Sequence, residues 1–257
     1  MDSPLGTELN RRQLMAIAGS AGLASFVAAC SAQPTPPLAT QQSATKLAST
    51  SIPVAPPPPT AAVSGVMLCR QAWGARPARP GGRPHTINRM TLHHSAVALP
   101  DNRGIVARLQ QHQRFHQDAK GWVDIAYHAA VDHRGNIFQL RDTAIAGDTA
   151  TTYDTTGHFL VLAEGNFDEE AVSEAQLNGV ALVFAWATSQ FGITVDTLAT
   201  HREVAPGTDC PGQNLQAYVD SGDLANRIVG VIAQGFELQP ICGPAADERV
   251  AAIEAGR

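Results

Sequence analysis

Residues Gly121–Asp142 read GWVDIAYHAAVDHRGNIFQLRD, and the fold turns on this stretch. Asp124–Asp132 and Asn136–Arg141 are two strand-like apolar runs, and His133-Arg134-Gly135 between them is a tight turn. A hairpin cannot stand alone in water, so the flanking chain must complete a sheet. Upstream, Thr86–Val97 (TINRMTLHHSAV) reads as a strand that ends at two histidines. Asn102–Gln117 is a weakly amphipathic helix that directs Ile105, Leu109 and Phe115 inward. Downstream, His158–Ala163 (HFLVLA) is almost wholly apolar, as a strand covered on both faces requires. Ser173-Glu174-Ala175-Gln176 has the spacing of a capping box and opens a helix to about Gln190, which Gly192 stops. A last helix is expected from about Leu215 to Gln234. Strands come early and helices flank and follow them. The expected class is α/β, with a mixed central β-sheet flanked by helices.

The chain has 257 residues, of which 44% are apolar, enough for one or two domains with an ordinary core. Its net charge of −5 argues against a nucleic-acid partner, which would call for a basic face. The four cysteines, Cys30, Cys69, Cys210 and Cys242, include no CxxC pair, so neither a zinc ribbon nor a thioredoxin-type site is indicated.

The N-terminus reads as an address. Arg11-Arg12 is a twin-arginine pair, and the uncharged stretch Gln13–Ala29 is shorter than a comfortable membrane span. Val27-Ala28-Ala29-Cys30 resembles a bacterial lipobox, in which the cysteine thiol takes the lipid. The competing reading is a soluble export signal with a chance cysteine. Residues 1–30 are thus expected to be a twin-arginine lipoprotein signal peptide, and the protein an exported, membrane-anchored lipoprotein facing the periplasm or cell wall. Residues 31–64 hold eight of the seventeen prolines and a single charge, Lys46. Such a composition cannot bury enough apolar surface to fold, and 31–65 is expected to be a disordered linker. Residues 66–242 then form one domain, and 243–257 a C-terminal tail.

Three side chains have the chemistry of metal ligands. His93 ends the first strand. His201 opens HREVAPGTDCPG, and Cys210 lies nine residues later in the same segment. Pro206, Gly207, Pro211 and Gly212 make that segment a loop, which can turn His201 and Cys210 toward one point. Two imidazoles and one thiolate leave a fourth zinc position open, the pattern of a catalytic site. Spacing alone also admits a hydrogen-bonded strand histidine and a buried cysteine.

At these residues the chain resembles the zinc-dependent N-acetylmuramoyl-L-alanine amidases, the type shared with phage lysozyme-type amidases and animal peptidoglycan recognition proteins. The matching motifs are WGARP at Trp73–Pro77, TLHHSA at Thr91–Ala96, Gly121–Asp142, EGNF at Glu164–Phe167 and HREVAPGTDCPG at His201–Gly212. The resemblance implies the peptidoglycan recognition protein fold and hydrolysis, by zinc-activated water, of the amide between N-acetylmuramic acid and L-alanine. It implies Zn2+ on His93, His201 and Cys210, with Tyr127 and Thr208 as catalytic residues. It further implies action on peptidoglycan or muropeptide; the chain is expected to be a monomer, lipid-anchored through the lipobox Cys30. A non-catalytic peptidoglycan-binding module is the alternative, and Cys210 discriminates, because recognition-only members lose that ligand. Two departures stand out. Leu162 occupies the place of a glutamate found in cytosolic relatives, and Ala144–Thr152 lacks a histidine that many members carry. His94, His112, His116, His128 and His133 read as structural or surface residues, and Trp73 and Trp122 as core aromatics. Cys69 and Cys242 bracket the domain of an exported protein, where disulfides persist. A Cys69–Cys242 bridge is expected, against two buried free thiols.

Overall fold

The computed structural model describes residues 62–257. The expected signal peptide, with Cys30, and the linker as far as residue 61 lie outside the described residues. The described chain contains strands β1 (Val63–Leu68), β2 (Arg89–His94), β3 (Ala129–Val131), β4 (Ile137–Gln139), β5 (His158–Ala163), β6 (Leu198–Thr200) and β7 (Phe236–Ile241). Its α-helices are α1 (Ile105–Arg114), α2 (Glu174–Phe191), α3 (His201–Val204), α4 (Gln213–Asp220), α5 (Asp223–Gln234) and α6 (Pro244–Glu254).

The strands form one mixed sheet in the order β6-β2-β5-β3-β4-β1-β7. Only β3 and β4 pair antiparallel; every other neighbouring pair is parallel. The β3–β4 turn is the one the sequence announced. The Asp132 carboxylate accepts from the backbone of Arg134 and Asn136, each at 2.9 Å. Gly135 takes φ +78°, and a Cβ there would sit 2.4 Å from the Ala175 carbonyl oxygen, so only glycine lets α2 approach this turn.

Side chains alternate across the sheet. Phe159, Val161 and Ala163 of β5 join Val180, Phe184 and Ile228 on one face. Leu162 of the same strand joins Ile105, Leu109, Val250 and Ile253 on the other. The sheet is therefore a middle layer, with α2, α4 and α5 on one side and α1 and α6 on the other. Ser173 caps α2 by accepting from Gln176 N at 3.1 Å. Gln176 does not return the bond. Its amide instead donates to the carbonyls of Val131 and Glu164, at 3.0 and 2.9 Å.

Four expectations need correction. The linker boundary at 65 falls inside β1, whose residues from Val63 onward pair with β7. Residues 243–257 are no tail: α6 buries Ala246, Val250 and Ile253, one apolar position per turn. The expected 215–234 helix is two helices, because Gly222, at φ +75°, breaks the chain between α4 and α5. Phe115 is 51% exposed. The inward stripe of α1 runs through Ile105, Leu109 and Gln113, and six residues beyond Leu109, at about 100° each, turn Phe115 away from it.

The Cys69–Cys242 disulfide is present, with Cα atoms 5.1 Å apart. Its cysteines follow β1 and β7, parallel neighbours whose last residues, Leu68 and Ile241, are paired. It closes a loop of 173 residues, and losing a native bridge costs about 2–5 kcal/mol. Cys242→Ser is expected to lower urea stability by that amount. The denatured, unreduced, metal-free domain should titrate one thiol, from Cys210; three would contradict the bridge.

Candidate metal centre and cleft

His93 and His201 meet because their strands are parallel neighbours. His93 sits near the end of β2, in register with Leu162 of β5. β6 flanks β2 on the other side, with Thr200 in register with Leu92, and His201 is the next residue. The alternation that buries Met90 and Leu92 against α2 sends His93 to the opposite face. His94 therefore points away from the cluster and accepts from Phe167 N at 3.3 Å. Cys210 closes the group from the loop after α3. Arg202 N donates to its carbonyl at 2.9 Å, His94 N lies 3.4 Å from its sulfur, and its own N–H donates to Thr208 Oγ1 at 3.2 Å.

One donor atom each from His93, His201 and Cys210 falls within 4.8 Å of the others, so the three could hold a metal ion. His93 Nδ1 is 3.7 Å from Cys210 Sγ. Burial holds the His93 imidazole well below its ordinary pKa, reinforced by His201. Burial also lowers His201 to about 4 and pushes the Cys210 thiol up to about 12. A divalent cation reverses the thiol's preference and takes the thiolate.

Tyr127, just before β3, lays its ring 5.2 Å from that of His93. Burial, and then the charge on Cys210, raise its pKa, so the phenol keeps its proton. Thr208 touches the cluster through the backbone of Cys210, a contact that shapes the ligand loop. Trp73 is fully buried in the core, as expected, and donates to the Gln139 carbonyl at 2.8 Å. Trp122 is a correction: it is only half-buried and lies against His116, ring centroids 4.8 Å apart. His116 Nδ1 accepts from Ala126 N at 3.1 Å. His128 Nδ1 accepts from Leu160 N at 2.9 Å, and its Nε2 donates to the Ile145 carbonyl at 3.1 Å.

Two groups of contacts lie in segments that the sequence marked only by family comparison, the Ala144–Thr152 departure and the EGNF motif, without showing their partners. The 149–153 loop reaches both imidazoles, with Thr151 Oγ1 2.8 Å from His201 Nε2 and Tyr153 Oη 3.3 Å from His93 Nε2. The segment that lacks the family histidine thus still reaches the cluster. Leu162 is buried in the core opposite His93, and a carboxylate appears two residues on. Glu164 is fully buried. It accepts from Ser95 Oγ at 2.9 Å, pairs with Arg108 at 3.2 Å and meets His112 Nε2 at 3.0 Å. Its three partners, Ser95, Arg108 and His112, line a cleft of about 280 Å³ together with Val97, Phe115 and Tyr127, among others.

A family model described as N-acetylmuramoyl-L-alanine amidase matches residues 83–213. That span contains the whole cluster and Tyr127 but leaves out β1, β7, α5 and α6. Peptidoglycan-recognition protein SC2 of Drosophila melanogaster is 27% identical over 158 residues, covering 60% of this chain and 85% of that protein. The N-acetylmuramoyl-L-alanine amidase of Homo sapiens is 31% identical over 156 residues, covering 57% of this chain and 26% of that larger protein. The crystal structure of Drosophila peptidoglycan recognition protein SD shares the fold, with TM-score 0.56 at 23% identity, covering 61% of this chain and 94% of that one. Peptidoglycan recognition proteins LCa and LCx, solved as an ectodomain complex with tracheal cytotoxin, give TM-score 0.56 at 27% identity, covering 61% and 95%.

Glu164→Gln keeps the side-chain shape and leaves the Arg108 guanidinium without its counter-charge. Breaking a buried pair on one side typically costs about 3–5 kcal/mol. Arg108 also donates to the carbonyls of Val97 and Ala98, so the lower end, about 3 kcal/mol, is expected in urea unfolding. An unchanged midpoint would show that the pair contributes nothing net.

Proposed function

The chain belongs to the N-acetylmuramoyl-L-alanine amidase family, and on that premise we propose that it is a zinc amidase cutting the bond between N-acetylmuramic acid and the L-alanine of the stem peptide. The observation that carries this reading is the meeting of His93, His201 and Cys210 donors within 4.8 Å, beside Tyr127. The donor set fits zinc. Ligands at about 2.1 Å (N) and 2.3 Å (S) in a tetrahedral arrangement lie about 3.6 Å apart, and His93 Nδ1 and Cys210 Sγ are separated by 3.7 Å. Three protein ligands leave a position for water or substrate. Zinc held there would supply a Lewis acid that polarises the scissile carbonyl and activates water at neutral pH.

The chain's own residues divide the remaining work. Tyr127, kept protonated by burial, donates a hydrogen bond to the carbonyl oxygen as charge gathers on it, a role worth about 3 kcal/mol. Thr208 holds the Cys210 amide and so positions the ligand loop. The cleft beside Tyr127, whose Ser95, Arg108 and His112 are held by Glu164, receives the substrate. That the LCa–LCx complex was solved with tracheal cytotoxin supports a muropeptide or peptidoglycan ligand. A recognition-only role has less support, because it does not require an intact Cys210.

Digestion of purified sacculi with mass analysis of the products tests the proposal. The wild-type protein should hold about one zinc per chain and release intact stem peptides beginning with L-alanine. Cys210→Ala should lose zinc and activity together. Tyr127→Phe should keep zinc and lose about 100-fold in kcat, the scale of one such donor. Binding to sacculi without release of peptide would leave recognition as the function.

The same reading places the protein outside the cytoplasm. Arg11-Arg12 and Val27-Ala28-Ala29-Cys30 support export and a lipid anchor on Cys30. Labelled fatty acid should enter the wild-type chain and not Cys30→Ala; equal labelling of the two would remove the anchor.

A further inference from the structure

Nε2 of each imidazole in the cluster meets a hydroxyl of one short loop. His201 Nε2 is 2.8 Å from Thr151 Oγ1. Thr151 Oγ1 in turn lies 2.8 Å from Thr149 Oγ1, which accepts from Thr151 N at 3.1 Å. His93 Nε2 is 3.3 Å from Tyr153 Oη. The Tyr153 ring packs against His201 and, edge-on, against His158, each with centroids 5.3 Å apart. His158 is itself fixed, because its Nδ1 bonds Thr91 Oγ1 across β5 and β2 at 2.7 Å.

An imidazole that binds a metal through Nδ1 must carry its proton on Nε2, and that N–H needs an acceptor when buried. Here each Nε2 has a hydroxyl oxygen. Nδ1 of His93 is the nitrogen on the Cys210 side, at 3.7 Å from the sulfur. We propose that Thr151 and Tyr153 are positioning residues for the metal: their oxygens accept the Nε2–H of His201 and His93, fix both rings in the tautomer with a bare Nδ1, and aim the two Nδ1 atoms and Cys210 Sγ at one point. The Thr151 proton passes on to Thr149 Oγ1, so the hydroxyl is free to accept. The inference rests on the zinc reading of the cluster. It gives the 149–153 loop a function, since one segment sets both histidine ligands.

Tyr153→Phe and Thr151→Val keep ring and shape while removing one acceptor each. In the full chain, zinc affinity measured by competition with a chromophoric chelator should fall about 10–100-fold in either variant. The visible absorption bands of the cobalt(II)-loaded protein should shift, while the urea midpoint of the metal-free protein stays at the wild-type value. Thr151→Ser, which restores the hydroxyl, should bind zinc like the wild type. Wild-type affinity and spectrum in both Tyr153→Phe and Thr151→Val would overturn the inference, as would a Thr151→Ser protein as weak as Thr151→Val. A wild-type chain that binds no zinc overturns the zinc reading and this inference together. A wild-type chain that binds zinc beside indifferent variants overturns this inference alone.

Discussion

Parallel pairing of β2 with both β5 and β6 is the constraint on which the candidate centre depends. Parallel neighbours finish at the same edge of a sheet, so the residues that follow them share one rim. His93 near the end of β2, His201 just past β6, and Ser95 and Glu164 just past β2 and β5 occupy that rim. The period-two alternation then selects which of two adjacent histidines faces the cluster. A one-residue slip of β2 would present His94 in place of His93 and turn Met90 and Leu92 out of the core. The register that buries the apolar residues is the register that assembles the site, so the core's stability enforces the ligand geometry.

Behind Tyr127 lie charged groups taken out of water, and they are paired. The buried Arg141 donates to the carbonyls of Ile125 and Asp124, at 2.8 and 3.0 Å, and pairs with Asp148. Its backbone N–H donates to the Tyr127 carbonyl at 3.0 Å, so backbone and guanidinium of Arg141 together hold the 124–127 segment that carries the phenol. Asp124 meets Arg70 at 2.8 Å. Such pairs contribute little net stability, because desolvation offsets their attraction, but breaking one is costly. Their effect is to hold the residues around Tyr127 in a single arrangement.

Elements whose signal is local were legible in the sequence. The apolar run of β5, the Asp132–Asn136 turn and the Ser173 cap of α2 each carry their instructions within a few residues. β1 and β7 do not. VSGVML and FELQPI are half-exposed strands that become recognisable only through pairing with each other across most of the domain. α6 was missed for a related reason: three apolar positions in PAADERVAAIE make a stripe only once a core exists to receive them. The ligands could be named because His and Cys are rare and chemically marked. The partners of Thr151, Tyr153 and Glu164 could not, because these residues reach them across roughly 50 to 70 positions of chain; the EGNF motif marked Glu164 without its role.

The strand order also separates two kinds of sulfur. Cys69 follows β1, which lies four places along the sheet from β2, and at about 4.8 Å per strand that is roughly 19 Å of lateral distance. Thiol–disulfide exchange requires one sulfur to attack another directly, so Cys210 cannot reach the Cys69–Cys242 bond while the sheet is intact. A folded domain with three cysteines could scramble them into a wrong pair. In this topology scrambling is open only to the unfolded chain, and folding itself insulates the Cys210 thiol from the oxidised pair.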